Sequence, residues 1–383
     1  MSKLDELIAE LCPDGVEYKK IKQVYKRLKG TPITAGKMKE IDNPNGEIKI
    51  FAGGKTVINA MEKDIPNANI TRVPAVLVQS RGVIDAVYYD KPFTFKNEMW
   101  AYTADNTIAV KYLYYVLKNN LSYFRKAASG MGSLPQISLP VTEEFVIPVP
   151  PLPVQQEIVR ILDNFTELTA ELKAEIEARK KQYEYYRDWL LSQEGLNKLC
   201  PDGVEFVTVG EICDITRGRV LSKDYLRDNF GDYPVYSSQT ANNGVFGYIN
   251  TFDYDCESVT WTTDGANAGS VFYHINEKFS ITNVCGLLRV KNNELLSTKF
   301  LFYVLQVYAK KYVNDGMGNP KLMSNVMAGI SVPLPPLPVQ QEIVRILDNF
   351  TELIAQLETE LEARQKQYEY YRDKLLSFKE ATA

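Results

Sequence analysis

The stretch PPLPVQQEIVRILDNFTEL occurs twice in the chain, at Pro150–Leu168 and at Pro335–Leu353, and its 19 residues are identical in both places. The next 24 residues of each copy, 169–192 and 354–377, match at 17 positions. Prolines stiffen the approach and cannot continue a helix interior, and the first copy then has no proline or glycine until Gly195. Both copies therefore predict a long helix that begins directly after a proline-rich turn.

Apolar side chains recur along both predicted helices at spacings of three and four residues, with the stems of Arg179 and Arg364 filling one position each, which is typical of a coiled-coil seam. The seam residues are Ile161, Phe165, Leu168, Leu172, Ile176, Tyr183, Tyr186 and Leu190 in the first copy, and Ile346, Phe350, Leu353, Leu357, Leu361, Tyr368, Tyr371 and Leu375 in the second. At about 1.5 Å per residue, each helix would be about 58 Å long. Two matching seams in one chain predict an intramolecular coiled coil. The alternative is that each helix separately covers a core.

A second repeat divides the rest of the chain. The sequence LCPDGVE occurs at 11–17 and again at 199–205, upstream of each long helix. The order is therefore domain, helix, domain, helix. We place the first domain at 1–149, the first helix at 150–195, the second domain at 196–334 and the second helix at 335–383.

The two predicted domains share a frame but differ in their side chains. Runs such as IKIFAGG and AVLVQS in the first, and YPVYSS and SVTWTT in the second, are strand-like and are separated by turn signals. We therefore predict an α+β fold with two strand-rich α/β domains, related by a pseudo-two-fold repeat and separated by the two helices. Similar frames with different loops suit a protein that reads two different targets.

Charge is distributed unevenly. The chain has a net charge of −4, but residues 1–149 carry +4 while each helix segment carries −3 and residues 196–334 carry −2. The N-terminal sequence has no apolar core typical of a signal peptide, and no run of 18 apolar residues predicts a membrane span. The sequence thus favours a cytoplasmic location and no membrane partner.

Residues for catalysis or metal binding are not found in any working arrangement. The chain has one histidine, His274, and five cysteines without a C-x-x-C pair, so no zinc site is predicted. The segment AGGKT at 52–56 fails the phosphate-loop pattern because Lys49 stands where its first glycine is required. We predict no catalytic residue, no metal and no cofactor in this chain.

Candidate nucleic-acid contacts lie instead in the loops of both domains. Long cations suit phosphates and guanine edges, Gln and Asn suit adenine edges, and small hydroxyls suit either. In the first domain the candidates are Lys26, Arg27, Lys29, Lys37, Lys39, Lys55, Ser80, Arg81, Arg125 and Lys126. In the second they are Arg217, Arg219, Ser237, Ser238, Gln239, Thr263, Asp264, Asn267, Lys310, Lys311 and Lys321.

The chain resembles the specificity subunit of type I DNA restriction–modification systems over its whole length. The resemblance rests on the doubled proline-to-helix junction, on the helix ends Arg179–Ser192 and Arg364–Ser377, and on TWTTDGANAG at Thr260–Gly269. It implies that each domain is a target recognition domain for one half of a bipartite double-stranded DNA sequence. It also implies that the two helices pair antiparallel as a spacer.

The resemblance further implies a non-catalytic subunit with catalytic partners. Two modification subunits would dock on the frame and supply S-adenosylmethionine and adenine methylation, and restriction subunits would add ATP- and Mg-dependent translocation and cleavage. The alternative hypothesis is a coiled-coil interaction scaffold that does not read DNA. An enzyme is a more distant third hypothesis.

Overall fold

The computed structural model describes residues 2–128, 134–314, 316 and 318–381. The first half contains α1 (Lys3–Leu11), β1 (Glu17–Lys20), α2 (Ile21–Val24), β2 (Lys26–Leu28), α3 (Ala35–Ile41), β3 (Ile48–Phe51), β4 (Val57–Ala60), β5 (Ala75–Gln79), β6 (Asp85–Tyr89), β7 (Phe93–Phe95), β8 (Trp100–Thr103), α4 (Thr107–Asn119), α5 (Leu121–Lys126), α6 (Leu139–Glu143), β9 (Val146–Val149) and the long helix α7 (Leu152–Leu190).

The second half repeats this order with different loops. It contains α8 (Gln193–Leu199), β10 (Glu205–Thr208), α9 (Val209–Ile212), β11 (Cys213–Arg217), α10 (Lys223–Asp228), β12 (Tyr233–Tyr236), β13 (Val245–Ile249), β14 (Tyr254–Thr262), β15 (Val271–Ile281), β16 (Cys285–Val290), α11 (Thr298–Tyr308), α12 (Ser324–Ala328), β17 (Ser331–Leu334) and the long helix α13 (Leu337–Leu375).

The two long helices predicted from the repeat are confirmed, and each has 39 residues. Both start the same way, because the buried side-chain amide of Gln155 donates to the carbonyl of Pro150 at 2.7 Å, and Gln340 does so to Pro335 at 2.8 Å. Helix α7 ends before Gly195, where a Cβ atom would lie 2.1 Å from the carbonyl oxygen of Trp189. Only glycine fits there, which allows the first turn of α8 to pack closely against the end of α7.

The chain forms two compact units, residues 1–173 with 360–383, and residues 174–359. In the first unit the ring of Phe165 stacks on Tyr371, with centroids 5.7 Å apart. In the second the equivalent rings, Tyr186 and Phe350, stack at 5.5 Å. In both cases an early part of one long helix packs on a late part of the other, so the helices pair antiparallel, as predicted.

The long helices also contribute to the domain cores, which combines the two arrangements considered from the sequence. Val154, Ile158 and Leu162 of α7 are buried in the core of the first unit, and Ile343 and Leu347 of α13 in that of the second. The coiled-coil seam therefore continues into a domain core at its ends.

The sheets of the first unit are small. One has the order β2–β8–β5–β6, another the order β4–β3–β7, and β1 pairs with β9. Strands β3 and β7 are parallel, whereas β3 and β4 form an antiparallel hairpin. The buried runs AVLVQ in β5 and WAYT in β8 form the centre of the larger sheet.

The second unit has a six-stranded sheet in the order β11–β16–β14–β15–β12–β13, and a pair formed by β10 and β17. Its β12 is parallel to β15, just as β3 is parallel to β7 in the first unit. The same strand β12 is antiparallel to β13, just as β3 is antiparallel to β4. The β10–β17 pair repeats the β1–β9 pair, with Glu205 opposite Leu334 where Glu17 is opposite Val149. The shared frame expected from the sequence is thus present in both units.

The same side-chain contacts join domain and long helix in each unit. In the first, Lys111 and Tyr115 of α4 both donate to Asp163 of α7, at 2.6 and 2.5 Å. In the second, Lys299 and Tyr303 of α11 donate to Asp348 of α13, at 2.7 and 2.6 Å. We call each set a carboxylate clamp. Within the described residues, no helix is long and apolar enough to cross a membrane.

Candidate nucleic-acid interface

In the first unit, three loops meet beside the β3–β4 hairpin. The N–H of Gly54 donates to the carbonyl of Arg81 at 3.0 Å, and the N–H of Gly82 donates to that of Pro135 at 2.9 Å. Gly54 and Gly82 have φ of +73° and +79°, which favours glycine. A cavity of about 740 Å³ opens between these loops, with Lys39 and Arg81 among its lining residues.

The candidate cations of this domain differ in their availability. Among the candidates that precede α4 in the chain, five are exposed and have no carboxylate partner within the described part of the chain: Lys26, Lys29, Lys39, Lys55 and Arg81. By contrast, Arg27 pairs with Glu143 and Lys37 with Glu40. A cation without an internal partner loses no ion pair when it meets a phosphate, so the unpaired five are the stronger candidates.

Two further cations lie at the end of α5. Arg125 donates through Nε to the carbonyl of Ile84 at 3.3 Å, which fixes its side chain, and Lys126 is exposed. Residues 129–133, which follow, lie outside the described residues.

Two of the predicted contacts are buried within the chain. Ser80 and Thr263 are fully buried, so neither side chain lies on a surface that DNA can reach. Ser80 instead holds two loops together, because its hydroxyl donates to the carbonyl of Glu98 at 2.5 Å and its carbonyl accepts the N–H of Ile137 at 2.9 Å. Both residues end buried strands, a burial that sequence alone does not reveal.

In the second unit, the loops after β11, β12 and β15 converge. Arg217 donates to the carbonyl of Asn283 at 2.6 Å and to the hydroxyl of Thr263 at 3.3 Å. The hydroxyls of Ser237 and Thr282 are 2.8 Å apart. Thr263 and Ser237 therefore hold the loop cluster in place from within.

The other candidates of this domain fall into two groups. Some are already engaged: Arg219 pairs with Asp253 at 3.0 Å, the Gln239 amide donates to the carbonyl of Val245, and Lys311 lies over the Tyr308 ring. Others remain accessible: Lys310 and Lys321 are exposed, while Ser238, Asp264 and Asn267 are half-buried. The Oδ1 atom of Asp264 is buried and has no hydrogen-bond partner in the described part of the chain.

The sequence interpretation missed two residues of this surface, Asn242 and Asn243. They form the tip of the β12–β13 hairpin, are exposed, and have φ of +50° and +52°. Among the described non-glycine residues, only these two and Asn276 have positive φ. The signal available in the sequence was N-N-G between two strand-like runs, since such pairs favour hairpin turns.

Seam residues and one tyrosine beside the seam in each unit form two exposed aromatic patches with matching composition. The first patch consists of Phe165, Leu168, Tyr370 and Tyr371, and the second of Phe350, Leu353, Tyr185 and Tyr186. Tyr370 is 63% exposed and Tyr185 is 65% exposed; Leu168 and Leu353 are each 37% exposed. Equal exposure of the same apolar residues in both units indicates that neither surface is covered by the chain itself.

The remaining seam positions lie deeper. Ile176 and Leu190 are buried, and Leu172, Leu357 and Leu361 are half-buried. Four others pack partly against a domain core: Ile161, Tyr368 and Leu375 in the first unit, and Ile346 in the second. Tyr183 also donates to Gln306 of α11 at 2.8 Å.

Reactive groups are held in structural roles. His274 is buried, with Nε2 2.8 Å from the hydroxyl of Thr260 and Nδ1 3.1 Å from a carboxylate oxygen of Glu277. Burial raises the pKa of Cys213 and of Cys285 to about 12. The described residues contain no group of His, Cys, Asp or Glu that could hold a metal ion.

Comparison with known proteins defines the class. The family model for the type I restriction modification DNA specificity domain matches residues 13–178 and 201–363, one copy in each half. The specificity subunit of the type I restriction enzyme MpnII of Mycoplasma pneumoniae is 37% identical over 315 residues, covering 66% of this chain and 94% of that protein.

Solved structures agree with the fold. The S subunit of a type I restriction-modification system from M. genitalium superposes with a TM-score of 0.67 at 20% identity, covering 94% of this chain and 96% of that one. A second structure is described as the structural basis of complex assembly and conformational transition of the type I R-M system. One of its chains superposes with a TM-score of 0.53 at 17% identity, covering 95% of this chain and 98% of that one.

The class is therefore DNA recognition without catalysis, as the sequence predicted. The chain belongs to the family of type I restriction–modification specificity subunits. The scaffold hypothesis, in which the chain does not read DNA, is not favoured.

Proposed function

We propose that the chain reads the two half-sites of a bipartite double-stranded DNA target, one with each of the domains at 1–149 and 196–334. The observation that carries this proposal is the duplicated frame with unlike loops. The carboxylate clamps repeat residue for residue, whereas the loops that meet at Arg81 and at Arg217 have different side chains. A repeated frame presents two reading surfaces in the same way, and the different loops allow different sequences.

The unpaired cations support contact with the DNA backbone. Lys39, Lys55 and Arg81 surround one loop cluster, and Lys310 and Lys321 lie on the other domain. Phosphate contacts set the position of a protein on DNA, while contacts with base edges specify sequence. The net charge of −4 is unusual for a protein that binds DNA alone, and it suits a subunit whose partners supply further phosphate contacts.

The aromatic patches support docking of two copies of one partner. Exposed tyrosines are enriched where proteins bind each other, and the two patches have the same four residue types and similar exposure. We assign them to two modification subunits, which would carry S-adenosylmethionine and methylate adenine in the cytoplasm. Restriction subunits, with ATP and Mg, would join the same complex.

The test uses the chain assembled with its cognate modification subunits. The complex is incubated with a random DNA pool, bound DNA is separated by gel shift, and the methylated motif is mapped. We expect enrichment of one motif with two defined halves and an unspecified gap. Binding without enrichment of any sequence would overturn the proposal and support instead the hypothesis of a scaffold that does not read DNA.

A further inference from the structure

We propose that Asn242 and Asn243 read adenine in the half-site of the second domain, an inference that rests on the proposed DNA-reading function. Both residues lie at the tip of the β12–β13 hairpin, where their side chains are exposed. Neither carboxamide has a hydrogen-bond partner within the residues that the structure describes. Every donor and acceptor of the two amides is therefore available to a ligand.

The backbone of the tip presents these side chains in an uncommon conformation. The N–H of Val245 bonds to the carbonyl of Asn242, with Asn243 and Gly244 at φ of +52° and +86° between them. This is the pattern of a type I′ turn, in which Asn-Gly is favoured. Asn242 also has φ of +50°, although it precedes the two central residues of that turn. Turn geometry thus accounts for Asn243 but not for Asn242, and strained residues of this kind cluster at functional sites.

The rest of the loop is fixed by internal contacts. The N–H of Ser237 donates to the carbonyl of Gly244 at 3.1 Å, and the Ser237 hydroxyl lies 2.8 Å from that of Thr282. The side-chain amide of Gln239 donates to the carbonyl of Val245. Gly244 lies close to Phe272, because a Cβ built on Gly244 would be 3.4 Å from the ring. Ser237 and Gln239 thus hold the loop in shape, while the two asparagines remain free.

The chemistry of a free carboxamide matches adenine. Its oxygen accepts from the N6 amino group while its NH₂ donates to N7, a pairing that distinguishes adenine from the other bases in the major groove. A neutral amide adds little to phosphate binding, which exposed cations of the same domain, such as Lys310, can supply. The equivalent turn of the first domain, 52–56, carries Lys55 instead, and lysine suits guanine. The two hairpin tips thus differ as two unlike half-sites require.

The competing explanation is that the asparagines serve only the turn. Asn→Gly separates the two roles, because glycine adopts positive φ freely and removes only the carboxamide. The variants are N242G, N243G and the double variant. The matched control is N293G, which removes an exposed asparagine of the same domain that lies between β16 and α11.

The experiment measures binding of the assembled complex to its mapped target by competition. Each adenine of the second half-site is replaced in turn by 7-deazaadenine, which lacks the N7 acceptor, or by another base. For the wild type we expect about a 5- to 150-fold loss at one or two adenines, the range of a bidentate base contact. The N242G and N243G variants should lose this discrimination while the first half-site is read as before, and N293G should behave as the wild type.

The outcomes separate this inference from the function on which it rests. Glycine variants that still discriminate at every adenine of the second half-site would overturn the inference and leave the function intact. Uniformly weaker binding with unchanged base preference would also overturn it and assign the asparagines to the turn. A wild-type complex without any sequence preference would instead contradict the proposed function.

Discussion

At the scale of single residues, one carboxylate in each unit ties a domain to a long helix. Asp163 accepts hydrogen bonds from Lys111 and Tyr115 together, and Asp348 does the same for Lys299 and Tyr303. Hydrogen bonds to a charged group are worth more than those between neutral groups. The partial exposure of these carboxylates reduces that contribution through solvent screening.

Asp163→Asn should loosen α4 from α7. The substitution removes the charge and one acceptor, and we expect a local loss of about 1–2 kcal/mol. Hydrogen exchange of the α4 amides should therefore quicken by about 5- to 30-fold. Glu167→Gln, one turn further along α7 at an exposed position, is the control. Equal exchange rates in the two variants would contradict the clamp.

The five cysteines should differ in reactivity. Burial raises the pKa of Cys213 and Cys285 to about 12 and also raises that of Cys12 and Cys200, so few thiolates form near neutral pH. Cys256 is only half-buried. Timed labelling of the native chain with a thiol reagent at pH 8 should show one fast thiol.

The fast phase should disappear in Cys256→Ser and persist in Cys285→Ser, which serves as the control. A fast phase that survives Cys256→Ser would show that another thiol is the accessible one.

At the scale of elements, each long helix has two kinds of surface. Its first turns are buried under a domain, as at Val154 and Ile158, while its seam further along is partly covered by the other helix. Coiled-coil spacing predicted the pairing, because the same apolar period repeats in both copies. It did not predict that Leu168 and Leu353 stay 37% exposed, since two helices alone cannot cover a seam on all sides.

Tyr370→Ala and Tyr185→Ala should each remove one modification subunit from the complex. Both side chains are more than half exposed, so truncation should cost little folding stability, whereas loss of an interface tyrosine typically weakens binding by about 5- to 30-fold. Native mass spectrometry at limiting partner concentration should show one bound modification subunit instead of two. The control is Lys181→Ala, which changes an exposed residue of α7, the helix that carries Tyr185. Two bound subunits in both tyrosine variants would rule out the aromatic patches as docking surfaces.

At the scale of the whole molecule, the proposed reading of DNA is modular. The repeated frame and unlike loops lead us to propose that each domain determines one half-site independently. The predicted domain boundaries at 149 and 334 lie next to the proline-rich turns that precede α7 and α13, which makes them natural exchange points.

Replacing residues 1–149 with the same segment of a relative should change one half-site and leave the other intact. The reason is that the loop clusters belong to different compact units. Methylation mapping of the assembled complex is the measurement, and replacing residues 196–334 is the reciprocal control. A change in both half-sites after either replacement would contradict modular reading.

A heptad inserted after Glu175 and another after Glu360 should widen the gap between half-sites. The two positions are equivalent in the repeat, and seven residues keep the coiled-coil seam in phase. They add about 10.5 Å, or about 3 base pairs. Insertion of five residues at the same places should break the seam and abolish assembly. A normal complex with an unchanged gap would rule out a spacing role.

The sequence by itself determined the duplicated plan: two long helices, two similar domains and their class. The spacing of the apolar residues and the identity of the two copies can both be read directly from the linear sequence. Only the tertiary structure decided which loop residues can be reached. It buried Ser80 and Thr263, engaged Gln239 within its own loop, and exposed Asn242 and Asn243. The burial of Ser80 and Thr263 depends on how strands distant in sequence close over one another, which no local pattern encodes.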